Sequence, residues 1–133
     1  MTPDLAAVIA GGAVGTALRL GLDVLIPHGD DVFPLWTLVI NVVGAFALGL
    51  LMARLWSSLP SWLLAGLGAG LLGSFTTFSA ITLSLVTLAS SAHWMTAFGY
   101  LAATLLLGFG AAAGGLVLGR GRASRATQDE VDE

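Results

Sequence analysis

The chain reads as an all-α integral membrane protein with four transmembrane helices, and three observations lead to that class. Of its 133 residues 56% are hydrophobic and only 10% are charged, against roughly a quarter charged in soluble globular domains. The charges are segregated: 7 of the 13 fall in the last 14 residues, and between Val32 and Gly119 the only one is Arg54. Four stretches each hold the roughly 20 apolar residues needed to cross a hydrocarbon layer about 30 Å thick. A soluble enzyme surface cannot be assembled from this composition. The absence of cysteine excludes disulfides, thiolate metal sites and a Cys nucleophile. Five Arg and no Lys leave no basic stripe for nucleic acid.

The first span is expected at about 5–26. It carries Arg19 and Asp23 near its far end and is followed by the polar turn Pro27-His28-Gly29-Asp30-Asp31. It reads as a span and not as a cleavable leader, having no basic start and too long an apolar part. The second, about 32–53, has no charge until Arg54 and ends at Ser57-Ser58-Leu59-Pro60. The next 65 residues contain no Asp, Glu, Lys or Arg. Ser90-Ser91-Ala92-His93 divides them into a third span, 61–89, and a fourth, 94–119. The segment 120–133 is polar and is predicted to be a tail without regular structure.

A straight helix over 61–89 would be about 44 Å long, well beyond the apolar thickness. Gly66, Gly68, Gly70 and Gly73 lead into Ser74-Phe75-Thr76-Thr77-Phe78-Ser79, a run poor in helix formers and rich in locally hydrogen-bonding groups. The pattern predicts a third helix broken near its middle, at Gly73 to Thr77. A long tilted helix is the alternative. Glycines four apart, such as Gly11 and Gly15 or Gly66 and Gly70, predict close helix packing.

Several polar residues lie inside these spans. Arg19 is costly in a bilayer; it can pair with Asp23 one turn on, snorkel toward the interface, or serve an anion. Asn41, midway along the second span, either makes an interhelical hydrogen bond or lines an ion pathway. Phe75, Phe78 and Ile81 recur every three residues, as do Thr76, Ser79 and Thr82. Apolar and hydroxyl stripes therefore run side by side, and ring edges with hydroxyl donors suit an anion. His28 and His93 fall in loops without a metal-ligand partner. Trp36, Trp56, Trp62 and Trp94 fall near span ends, where amphipathic rings anchor to the interface. No Asp or Glu lies in spans two to four, which argues against a proton-coupled antiporter.

Three stretches carry a resemblance to a known family. They are Gly11-Gly12-Ala13-Val14-Gly15-Thr16-Ala17-Leu18-Arg19; Thr37-Leu38-Val39-Ile40-Asn41-Val42-Val43-Gly44-Ala45-Phe46 with Gly49; and Gly73-Ser74-Phe75-Thr76-Thr77-Phe78-Ser79. With Tyr100 and Gly108 in the fourth span, the chain resembles the CrcB/Fluc fluoride channels over nearly all but its tail. The resemblance implies an antiparallel dimer with two fluoride pores and passive fluoride efflux that lowers cytoplasmic fluoride. It also implies a structural sodium ion at the dimer interface, held by the backbone carbonyls of Gly73 and Thr76. By the same resemblance Asn41, Phe78, Ser79 and Tyr100 border the fluoride pathway, and Arg19 lies near a pore mouth.

The chain departs from the family where Phe-Ser-Thr-Phe usually stands, having Phe78-Ser79-Ala80-Ile81; Ile81 thus occupies the second pore aromatic's place. Ser84 stands where many members carry glutamate. Arg54, Arg120, Arg122 and Arg125 all fall on the side of the two termini, so the positive-inside rule places both termini in the cytoplasm of a cell-membrane protein. So fixed an orientation, with the loss at Ile81, points to an oppositely oriented homologous partner. The competing readings are a small multidrug-type four-span antiporter and a non-conducting subunit of a heteromeric channel.

Overall fold

The structure is a computed structural model that describes residues 1–25, 33–56 and 58–129, with side chains as far as Arg120. The turn expected at 27–31, with His28, lies outside the described residues. Four segments are long and apolar enough to cross a membrane: Pro3–Leu25, Leu35–Leu55, Ser61–Ser90 and Trp94–Arg120. No strand occurs among the described residues. The chain is therefore all-helical with four membrane-spanning segments.

Helix α1 (Pro3–Leu25) starts where it does because Thr2 caps it. The Thr2 Oγ1 accepts from Leu5 N at 3.4 Å and the Thr2 carbonyl from Ala6 N at 3.1 Å, with Pro3 in the first helical position that proline favours. Helix α2 (Leu35–Leu55) follows Pro34. The third segment is composite: α3 (Ser61–Ala65), a π-helical stretch Gly66–Leu72, a last α-helical turn α4 (Gly73–Phe75), and, after Thr76 and Thr77, helix α5 (Phe78–Ser90). Helix α5 ends on a left-handed residue, Ala92 at φ 61°. There His93 N reaches Leu88 O and Ala92 N reaches Ala89 O, the two bonds of a Schellman cap usually built on glycine.

Helix α6 (Trp94–Asp129) keeps helical backbone ten residues past the Gly119 boundary expected from polarity. Charge marks where the membrane ends and not where the helix ends; extending a helix adds one hydrogen bond per ordered residue. Arg120 to Asp129 contain Ala, Arg and Gln and no proline, so the ladder continues.

Two helix pairs make up most of the packing: α1 lies along α3, the π-helical stretch and α4, while α2 lies along α6, with α5 leaning on α6. Glycines set both seams. A Cβ at Gly11 would run into Gly66 O, and one at Gly15 into Leu71 O. Across the same seam a Cβ at Gly70 would lie 2.8 Å from Val8 O. On the second seam Gly49 faces Ala112 O, Gly115 faces Phe46 O and Gly119 faces Ala53. Backbones in contact gain dispersion energy, which must drive association where lipid removes the hydrophobic drive between helices. Leu38, Ile81, Leu88, Ala97 and Tyr100 form the buried apolar cluster where α2, α5 and α6 meet.

Within the run from Gly73 to Thr77 the extended residues fall at the far end, and Gly73 is not one of them. Gly73 sits in ordinary right-handed helix at φ −64°, ψ −32°, where a Cβ would meet only Gly68 O at 3.6 Å. The extended residues are Thr76 (φ −82°, ψ 145°) and Thr77 (φ −143°, ψ 127°), conformations that β-branched residues favour.

Gly11→Val should therefore lose about 1–3 kcal/mol through overpacking, whereas Gly99→Ala, with nothing within 4 Å of its Cβ position, should not destabilise. Thermal unfolding of the two variants in detergent separates the cases. In the same assay Ala92→Gly should raise stability, because a left-handed residue with a Cβ costs roughly 1–2 kcal/mol.

Candidate functional site

The site is built around Thr76 and Thr77, where the helical ladder is interrupted and the N–H groups of Thr77 and Ala80 turn to side-chain acceptors. In an unbroken helix Thr77 N–H would go to Gly73 O; here it goes to Asn41 Oδ1 on α2 at 2.9 Å. Ala80 N–H would go to Thr76 O; here it goes to the Thr77 hydroxyl at 3.5 Å, capping α5. Phe75 O receives instead the Arg19 Nη1 from α1, at 3.5 Å, and Thr77 O receives Asn41 Nδ2 at 3.4 Å. Leu72 O takes both Thr76 N at 2.9 Å and Thr76 Oγ1 at 2.8 Å. Each replacement donor is a named side chain or cap, as backbone at membrane depth requires.

The exchange leaves the carbonyls of Gly73 and Thr76 without their helical donors. Carbonyl oxygen is the ligand type that hard cations take, so these two groups fit, in kind, the sodium ligands implied by the resemblance. Among the described residues no group of three or more His, Asp or Glu is placed to hold a metal.

Arg19 is buried at 8% exposure, held by Asp23 with Nε 3.3 and 3.4 Å from the two carboxylate oxygens. It thus caps the last helical turn before the break while its charge is balanced one turn along α1. Asn41, 9% exposed, makes its two-way hydrogen bond with Thr77 and keeps a second N–H on Nδ2. The Thr77 and Ser79 hydroxyls lie 2.6 Å apart. A pocket of about 380 Å³ gathers Thr16, Arg19, Asp23, Ser74, Thr77 and Ser79 on the protomer surface, with Leu20, Ala80 and Leu83.

The other candidate pathway residues divide in two. Phe78 is 76% exposed, on the open side with Ser79. Ile81 and Tyr100 sit in the buried cluster, Tyr100 with its ring edge-on to Phe33 at 5.6 Å and 86°. Tyr100 Oη and Thr104 Oγ1 are buried without a hydrogen-bond partner among the described residues; Ser84 and Thr104 are the polar neighbours of the tyrosine hydroxyl. A single protomer therefore does not bring Asn41, Phe78, Ser79, Ile81 and Tyr100 into one channel lining. Sequence reasoning missed Thr77 as the pivot and Thr104 as a polar neighbour of Tyr100. Both had a local signal: Thr77 is a hydroxyl residue at a helix start, and Thr104 stands one turn after Tyr100.

Residues 6–116 match the family described as CrcB-like protein, Camphor Resistance (CrcB). The chain belongs to the CrcB family. It is 41% identical over 114 residues to the "Fluoride-specific ion channel FluC" of Paracoccus denitrificans, covering 86% of this chain and 92% of that one. It is also 41% identical over 128 residues to "Fluoride-specific ion channel FluC 2" of Nocardia farcinica, covering 92% and 86%. A further relative, "Fluoride-specific ion channel FluC 2" of Listeria monocytogenes, is 37% identical over 99 residues, covering 73% and 75%. The matched CrcB region contains every residue of the break and its partners, and the chain is a multi-pass membrane protein.

Asn41→Leu is close in size and leaves Thr77 N–H unpaired, which should cost about 1–3 kcal/mol. Asn41→Asp keeps the acceptor for Thr77 N–H and should lose less of the thermal stability of the detergent-solubilised protein, provided the carboxyl is measured protonated at low pH. Equal losses in both variants would show that the reciprocal bond does not hold the break.

Proposed function

We propose that this chain is a subunit of a fluoride-specific ion channel that lets fluoride leave the cytoplasm passively. It is a channel and not an enzyme. The observation that carries the reading is the near-full-length likeness to proteins named fluoride-specific ion channels. The chemistry of the break supports it. Fluoride is small and strongly hydrated, so its path must replace water with close donors while apolar walls disfavour larger anions. The second Asn41 N–H and the Thr77 and Ser79 hydroxyls are such donors, and Arg19 supplies the positive charge near them.

On this reading the working unit is an antiparallel dimer. The division of Phe78 and Ser79 from Ile81 and Tyr100 suits a pathway whose lining comes from more than one chain. The released carbonyls of Gly73 and Thr76 would hold a sodium ion between the protomers; the ion would neutralise these dipoles and tie the two breaks together. Both termini lie in the cytoplasm, since Arg54, Arg120, Arg122 and Arg125 mark one side. A chain so oriented pairs with an oppositely oriented homologue, which also supplies the aromatic ring missing at Ile81.

Vesicles holding this chain, alone or with a co-encoded homologue, should release fluoride and retain chloride. Comparable chloride flux would overturn the channel assignment. Replacing sodium by a bulky organic cation should weaken the dimer in detergent, and an unchanged dimer would remove the sodium site. A tag after Glu133 should be accessible from one face of the membrane only; equal labelling from both faces, with fluoride flux from the chain alone, would overturn the heteromer.

A further inference from the structure

We infer that Asp23 is an electrostatic brake on the anion pathway, a fixed negative charge at the pocket mouth that limits how far anions accumulate there. The inference rests on the channel reading and adds to it a residue that governs anion access. The pocket of about 380 Å³ collects the hydroxyl residues Thr16, Ser74, Thr77 and Ser79 together with one cation, Arg19, and one anion, Asp23. Among the described residues no other charged side chain lines the pocket. The third segment that forms the opposite wall lies within the 65 residues that lack Asp, Glu, Lys and Arg. The remaining charge described on α1 is Asp4, at the far end of the helix, where it accepts from Ser61 Oγ at 3.3 Å.

The two charges are not equivalent in access. The Arg19 side chain is 9% exposed and the Asp23 side chain 38%. The guanidinium is turned inward between Asp23 and Phe75 O, whereas the carboxylate has the larger share of surface. An anion reaching the pocket therefore meets the carboxylate before it gains the full field of the arginine. A cation alone would concentrate anions at such a low-dielectric mouth; a cation with a more exposed counter-charge concentrates them far less. The polar donors further in are unaffected, so Asp23 sets the rate of arrival and not the discrimination between anions.

Fluoride flux from vesicles containing the conducting assembly tests this, with ionic strength set by an impermeant salt. Asp23→Asn keeps an oxygen to accept from Arg19 Nε and removes the charge. It should raise flux at least about threefold at about 10 mM salt, where the screening length is about 30 Å, and lose that gain near 1 M, where it is about 3 Å. Fluoride over chloride preference should not change. Asp23→Glu retains the charge and should show no salt-dependent gain. Flux in the Asn variant that is unchanged or reduced at low salt overturns the inference, as does a gain of equal size in the Glu variant or one that survives high salt. If the Asn variant does not assemble in detergent, Asp23→Ser is measured with the same criteria. Wild-type vesicles that pass no fluoride overturn the channel reading and this inference with it, while wild-type flux with an inert Asp23→Asn overturns this inference alone.

Discussion

Everything distinctive in this chain follows from one constraint: a peptide group at membrane depth must find a hydrogen-bond partner within the protein. A helix satisfies it locally, and three of the four spanning segments do no more than that. The third gives up the helix at Thr76 and Thr77 and must replace the lost bonds from elsewhere. Arg19 arrives from α1 and Asn41 from α2, and the Thr77 hydroxyl from the break itself. An intramembrane arginine and an intramembrane asparagine, each expensive in isolation, become the least costly way to close an otherwise unsatisfied backbone.

Those side chains reach their targets only because glycines let the helices come close. Asn41 has a short side chain, and one turn further along α2 stands Gly44, where a Cβ would collide with the Thr76 methyl. Arg19 is preceded at four-residue spacing by Gly15 and Gly11, both in backbone contact with the π-helical stretch; a Cβ at Gly15 would also lie 3.1 Å from Phe75 N. One face of α1 thus reads glycine, glycine, arginine, and one face of α2 reads asparagine, glycine. Seam and site are the same surface, and a packing change at Gly15 or Gly44 is felt at the break.

The spans were legible in the sequence because apolar length is a property that local composition carries completely. Their ends agree with the structure to within about three residues in the described regions. The run from Gly73 to Thr77 stood out for the same compositional reason, but which of its residues would be extended did not. Glycine content at Gly73 drew attention to backbone freedom, whereas the extended residues are two threonines whose preference is for such conformations. The π-helical stretch left no periodic signature, since it depends on how Gly66, Gly68 and Gly70 meet α1. For Asn41 and Arg19 the sequence offered a structural and an ionic role as alternatives. Which backbone atoms they would meet was set by pairings 36 and 56 residues away, beyond the reach of any local pattern.

The same geometry joins the structural and ionic roles. Giving Thr77 N–H to Asn41 is what releases Gly73 O, and giving Ala80 N–H to Thr77 Oγ1 is what releases Thr76 O. The donors that stabilise the break thereby create acceptors, and Asn41 is left with one N–H still to give. A protein that needed only to end a helix would have capped these carbonyls too. Acceptors at one edge of the break and donors at the other form a dipolar arrangement that ions of opposite sign complete. On the proposed reading the cation is coordinated by the released carbonyls and the anion takes the remaining Asn41 N–H, so that ions complete what a single protomer leaves open.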